Sequence, residues 1–494
     1  MHKLGWVVIV CLLCVGCARE ELTRVNLFFA ADVQGFYFAR PEPRLDNQQA
    51  GGYGILKNFL QTQTIPYLLF DGGNWFGLSA EGALSNRGVY VPLLTGHLDF
   101  TAGTLTDRDL AYGWPVARGI VRELKYPLVV SNLQLENQIP WPLHDYQIRT
   151  VEGIKIGIFG IMAPLAKNQS RLSGLSTLDP LQTAQKMTSL LREKGVDYVV
   201  VLSSLGLASQ SDYTNAALAT EVEGINLILS SNQDNETPET EELGNTWIVY
   251  PGSKLDSIGQ IALEFDKNHQ LKNTAFTDIP LLENVYGEDA EIAAQAIQLL
   301  NDTRNHMKRY VSKTELPIET DLNSQSPLGT LLTQCLHKWA KLDGAVLNAA
   351  SIRSSLPQGT LTEFDLYKMY PYGDNITYLT IKGDAFTKAL QASLNAEDNF
   401  PQIAGFSVMY MNTPVGKRIT RITLDNGRIV RPQDTYRFAV TDHILAGGFG
   451  HDEFINALEF KSTFVEARQI MRSCIVRQKT VTAPSSKGRW ILAK

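Results

Sequence analysis

Six short apolar runs, each closing on a small or polar residue, constrain this chain more than anything else in it. They are "VNLFFAADV" (25–33), "IPYLLFDGG" (65–73), "YPLVVSNL" (126–133), "IKIGIFGIMAP" (154–164), "VDYVVVLSSLG" (196–206) and "INLILSSNQD" (225–234). Such runs are too continuous for half-exposed strands and read as strands buried on both faces. Helical stretches such as "LDPLQTAQKMTSLLREKG" lie between them, so the region is α/β. In sheets of this kind ligand sites form from the loops at the strands' carboxyl ends. The residues just after each run are therefore the candidates for chemistry. The chain has 494 residues, 44% of them hydrophobic and 19% charged, which predicts a globular protein of two domains. A net charge of −6 without any basic block argues against nucleic acid as a main partner.

After the last run, "YGEDAEIAAQAIQLLNDTRNHMKRYV" reads as one amphipathic helix from Tyr286 to Val311, apolar at Ile292, Ala296, Leu299, Leu300 and Met307. It is a connector to a second α/β region, and the expected division is 25–285, 286–311 and 312–494. The opening "MHKLGWVVIVCLLCVGCARE" is basic at Lys3 and apolar from Leu4 to Leu13. That run is about half of the roughly 20 residues a membrane span needs, so it reads as a signal peptide. Cys14-Val15-Gly16-Cys17 resembles a bacterial lipobox, which implies residues 1–17 as the signal, 18–24 as a linker and lipidation at Cys17. The mature chain would then be exported and tethered to a membrane, facing the periplasm or the cell surface. A plain signal peptide cleaved nearby is the alternative. Outside the signal only Cys335 and Cys474 remain, either paired or two buried thiols.

The strand ends have a recognisable order: "AADVQG", "LLFDGGNWFGLS", "TLTDRDLAYG", "VVVLSSLG" and "INLILSSNQD". They resemble, in sequence, the bacterial 5′-nucleotidase family of metallophosphoesterases, over nearly all of the mature chain. The resemblance implies a sandwich of two mixed sheets joined by a helix to a smaller α/β domain. It also implies a centre of two metal ions about 3.5–4 Å apart, bridged by a carboxylate and capped by imidazoles and an amide. Carried over position by position, the first aspartate is Asp32, its histidine partner is Gln34, and the bridging aspartate is Asn74. The asparagine ligand is Asp107, the catalytic histidine is Arg108, a later strand-end histidine is Ser204, and the final pair is Asn232 and Asp234. Between Val25 and Asn268 the only histidines are His97 and His144, neither with ligand-like spacing. No resident cofactor is expected. The alternative is a single Mg²⁺, Ca²⁺ or Mn²⁺ held by Asp32, Asp107, Asp109 and Asp234 with Asn74, Asn232 and Gln34. Against that, Arg108 would put a permanent cation among them, and it reads as an ion-pair partner of Asp107 or Asp109.

"SPLGTLLTQCLHKWAKLDGAVLNAASIRSSLPQGTLTEFDLYKMYPYGDN", "FPQIAGFSVMYM" and "YRFAVTDHILAGGFGHDEF" resemble the same family's nucleoside-binding C-terminal domain. Arg353 and Asn348 keep the arginine and the start of its arginine loop, Tyr372 stands for the first stacking aromatic, and Asp374 for the asparagine nearby. The second aromatic falls on His443, and Phe449 replaces an aspartate. Tyr372, His443 and Phe449 either form a slot for a planar ligand or pack the interior. Three functions compete. The first is a non-catalytic envelope lipoprotein binding a small molecule, such as a nucleotide, or a protein of the envelope. The others are a phosphate-ester hydrolase with an altered mononuclear site and a purely structural envelope protein.

Overall fold

The structure, a computed structural model, describes residues 22–76, 90–110, 112–135, 142–165, 174–205, 213–231, 237–396, 398–445 and 452–493. The first region is a sandwich of two mixed sheets. One sheet has the spatial order Leu271–Pro280, Ser257–Phe265, Thr23–Ala30, Tyr67–Asp71, Ala102–Gly103, Leu128–Val129, Leu143–His144. It is parallel from Thr23–Ala30 onward and antiparallel on the other side. The second sheet runs Glu239–Leu243, Thr246–Tyr250, Leu227–Ser230, Tyr198–Ser204, Ile154–Met162, Tyr146–Val151.

Alternation along Thr23–Ala30 shows why its run is continuous. Val25, Leu27 and Phe29 meet Ile156, Ile158, Val200 and Leu202 of the second sheet. Phe28 and Ala30 point the other way, against Ile55, Leu56 and Phe59 of the helix Tyr53–Gln61. The second sheet buries its outer face under Pro180–Glu193 and Asn215–Glu221 in the same manner. The central strands of both sheets are thus dry on both faces, as runs without polar alternation require, while the outer strands Leu271–Pro280 and Glu239–Leu243 are largely exposed. The helix Tyr53–Gln61 starts at Gly52, whose φ is +85° and where a Cβ would stand 2.7 Å from the Phe38 backbone, so only glycine fits.

The connector is shorter than the periodicity suggested. A turn of helix at Glu283–Tyr286 ends on Gly287, and a separate helix spans Ala290–Met307. Asp289 starts it by accepting the Ile292 N–H at 3.0 Å, and Gly287 has φ +68°, a break that no continuous helix tolerates. Ile292 and Ala296 anchor this helix on the first domain, while Met307 packs with Tyr367 of the second. His97 holds it too, through Gln295 at 3.0 Å.

The second region centres on a five-stranded sheet ordered Pro401–Ala404, Gly344–Asn348, Thr435–Thr441, Asn375–Lys382, Glu459–Glu466. Helices Pro327–Ala340 and Ala467–Val476 pack together beside it, joined by a disulfide between Cys335 and Cys474 with Cα atoms 5.8 Å apart. This settles the pairing that spacing alone left open. No described helix is long and apolar enough to cross a membrane.

The bridge closes a loop of 139 residues, which restricts the unfolded chain strongly. Replacing both cysteines by serine should lower stability by about 2–5 kcal/mol. Urea unfolding followed by tryptophan fluorescence measures it; an unchanged midpoint would count against the bridge.

Candidate functional site

Two strand-end loops lie side by side at the carboxyl edge of the first sheet. The Gly72 N–H donates to Ala30 O at 2.8 Å, Asp32 N–H to Gly73 O at 3.1 Å, Gln34 N–H to Asn74 O at 2.9 Å, and Gly35 N–H to Trp75 O at 2.7 Å. This ladder continues the parallel pairing of the strands and sets Asp32 against Asn74. Asp32, Gln34 and Asn74 all have φ between +52° and +56°, a region L-residues seldom occupy. Such strain persists only where the surroundings over-determine it.

Asp109 does much of the determining. Its carboxylate accepts the N–H groups of Asn74 at 2.7 Å, Trp75 at 2.8 Å and Thr106 at 2.9 Å, and the Thr106 hydroxyl at 2.9 Å. Both oxygens are committed to the loop, so Asp109 braces the site and is placed poorly to hold a metal. Gly73 passes so near that a Cβ there would stand 2.8 Å from Asp109 Oδ2. Asp71, which sequence reasoning passed over, is a second buried brace. It accepts Gly73 N–H at 3.0 Å, Trp75 Nε1–H at 2.8 Å and the Tyr126 hydroxyl. Burial pushes both carboxyls up, Asp109 to about 7 against the pull of its donors.

At the centre, Asn74 Nδ2 donates to Asp32 Oδ1 at 2.5 Å, and both side chains are buried. Two carboxylates there would repel by about 4 kcal/mol at 4 Å in an effective dielectric of about 20, unless cations lay between them. An amide turns that repulsion into attraction. Ser204, at a histidine position, is fully buried and donates its hydroxyl to Leu105 O at 3.1 Å. Asp107 is exposed, Arg108 and Gln34 are half-buried, and no His, Cys, Asp or Glu group of three or more assembles among the described residues. Among the described residues, the bridging-anion position carries an amide bonded to Asp32 and one imidazole position carries Ser204 bonded to Leu105 O, and neither group suits a dinuclear centre. One neutral acceptor, Asn74 Oδ1, is buried without a partner. Asn232, Asp234, Phe449 and Cys17 lie outside the described residues.

Sequence reasoning also missed what holds the neighbouring loop. Lys254 N–H donates to Asp32 O at 2.8 Å. That loop is pinned by Asp256, whose carboxylate takes the guanidinium groups of Arg40 and, at 2.9 Å, of Arg44. Nothing in the spacing of these residues announces the network, since its members are more than 200 positions apart.

In the second domain, Gly344–Asn348 and Thr435–Thr441 are parallel, and Asn375–Lys382 is antiparallel to the latter. One edge of the sheet therefore collects the loop of Arg353, the helical turn Asp442–Leu445 with His443, and the segment of Tyr372. Asp442 accepts Asn375 N–H at 3.1 Å, tying two of these together. Tyr372 is half-buried, stands edge-on to Tyr370 at 5.8 Å, and feels Arg353 and Asp374. Burial raises its phenol, and the Arg353 cation opposes the rise. Arg353 is exposed, as a phosphate contact would be. Asp374 is buried and accepts the Tyr370 hydroxyl at 2.9 Å. Asn348 is fully buried, its Oδ1 taken by Ser351 and its Nδ2 without a partner. Arg468, which no motif marked, donates to Pro371 O at 3.1 Å and lies 5.3 Å from the Tyr367 ring.

Comparison with known proteins agrees with this architecture. Residues 305–458 match the model of the 5′-nucleotidase C-terminal domain. A trifunctional nucleotide phosphoesterase of Bacillus subtilis is 21% identical over 87% of the chain, which spans only 33% of that protein's length. A 5′-nucleotidase of Vibrio cholerae is 22% identical, covering 69% of this chain and 70% of its own. The crystal structure of a 5′-nucleotidase precursor from Thermus thermophilus covers 95% of the chain with a TM-score of 0.66 at 20% identity, and 99% of that structure is matched. At that identity the likeness concerns the fold.

Because burial raises Asp109, its contribution to stability is greatest below about 4, its unfolded value, and is lost as pH rises through about 7. Between those values, native stability should fall relative to that of Asp109→Asn. Urea midpoints of the two proteins from pH 4 to 7 test this, and parallel profiles would refute it.

Proposed function

From a match of residues 305–458 to the 5′-nucleotidase C-terminal domain and from a fold shared with 5′-nucleotidases over nearly the whole chain, we propose that this is a member of that family, and read its function from the residues of its two sites. It is an exported, membrane-tethered family member that no longer hydrolyses phosphate esters and works by binding. The ligand is a small planar molecule, a nucleotide first among candidates, taken at the edge carrying Arg353, Tyr372 and His443. The observation that carries the loss of hydrolysis is the Asn74 amide donating to Asp32 where a bridging anion would be needed. The disulfide and the apolar N-terminal run support export.

One observation favours a second reading. Asn74 Oδ1 is a buried acceptor without a partner, and with Asp32 it could face one hard cation. A mononuclear hydrolase is then the alternative, consistent with the names of the relatives. Metal stoichiometry on the purified protein, re-equilibrated with Mn²⁺, Zn²⁺, Mg²⁺ and Ca²⁺ in turn, separates them. The binding reading expects no bound ion, one hard ion supports the alternative, and two at micromolar free metal would sink both.

Asn74→Asp should lower stability by about 1–4 kcal/mol in chelator, since it sets a second carboxylate on Asp32. Thermal melts with and without Mn²⁺ read it, and recovery by the ion would show that one substitution reopens a metal site. Calorimetry should find saturable binding of AMP, weakened about tenfold or more by Tyr372→Ala or Arg353→Ala. Equal affinity in all three proteins would remove the slot from consideration.

A further inference from the structure

A cavity of about 430 Å³ opens between the helices Pro327–Ala340 and Ala467–Val476, and it shares no lining residue with the Tyr372 edge. That volume lies in the range, about 300–1,000 Å³, in which pockets enclose small organic ligands. Its apolar wall includes Leu331, Ile470 and the Cys335–Cys474 bridge. Trp339 adds an aromatic face that is 38% exposed, an unusual expense of apolar surface for a residue of its size.

The charge of the lining is one-sided. Lys338 and Arg477 border the cavity, no carboxylate does, and neither cation makes an ion pair among the described residues. Each stands at the C-terminal end of its helix, where the helix dipole favours a positive charge. The dipoles account for cations at these ends. They do not account for an aromatic ring and an apolar hollow beside both of them, in a chain whose net charge is −6. An apolar body with a few convergent polar groups is the usual make-up of a ligand site.

We propose that this cavity binds a small organic anion. Its aromatic or aliphatic body lies against Trp339, Leu331 and Ile470, and its carboxylate, sulfonate or phosphate meets Lys338 and Arg477. The disulfide holds the two helices that form the walls, so the site depends on the oxidised protein.

The probe is 8-anilinonaphthalene-1-sulfonate, titrated into the full oxidised protein and followed by its fluorescence, with neutral N-phenyl-1-naphthylamine in parallel. One saturable site is expected for the sulfonate. The double substitution Lys338→Glu, Arg477→Glu should weaken it at least tenfold and leave the neutral probe within about twofold, whereas Trp339→Ala should weaken both. Both charged positions are exposed, and circular dichroism with a thermal melt checks that each variant is folded. The assignment is overturned if the sulfonate does not saturate or is indifferent to the double substitution. It is equally overturned if the two probes weaken together in the double variant, because the charges would then shape the cavity without selecting an anion. Loss of sulfonate binding in Tyr372→Ala with none in the double variant would move the anion to the other edge of the domain.

Discussion

The backbone ladder between the loops after Thr23–Ala30 and Tyr67–Asp71 is the constraint on which the first domain's site depends. It forces three residues other than glycine into left-handed conformations and brings two buried side chains to hydrogen-bond distance. Neither feature stands alone. The buried carboxylates of Asp71 and Asp109 receive the loop's N–H groups, and those donors would otherwise be orphaned in a dry interior. Once the braces are in place, the identity of the residues at positions 34 and 74 becomes a local matter. An amide can replace an acid there without disturbing the frame.

This separation of frame from chemistry lets a chain match the fold of a 5′-nucleotidase over nearly its whole length with the site residues free to vary. Two ions and their ligands normally contribute to the electrostatic balance of such a cleft. Here neutral groups make the described side-chain bonds at the centre: an amide donates to a carboxylate, and a serine hydroxyl to a carbonyl. Asn74 Oδ1 is the acceptor at the centre that these bonds leave unsatisfied. In the second domain the arginine loop, the aromatic segment and the histidine turn share one sheet edge.

Much of this was legible in the residues. Each of the six apolar runs contains a strand, because continuous burial on both faces leaves an unmistakable composition. The rest was hidden for definite reasons. Asp109 has the composition of a ligand, and only its four donors show it to be a brace. The positive φ values fall on Asp32, Gln34 and Asn74, which do not declare such a backbone as glycine would. The connector's break was signalled by Gly287 and Asp289, but the apolar periodicity on either side masked it. The Arg40, Arg44 and Asp256 network and the disulfide join residues distant in sequence, and pairing of that kind follows from packing.

The disulfide also orders events in time. On the proposed export, the chain would emerge from its N-terminal side, and Cys474 follows every described strand of the second domain except Trp490–Leu492. The first domain can fold, and the five-stranded sheet of the second can be wholly outside, before the two thiols coexist in the same compartment. Until then Cys335 waits as a lone thiol. In that order of events the two thiols can meet only after the five strands of the central sheet have emerged, so the bond closes late and ties the last described helix to one encoded 139 residues earlier.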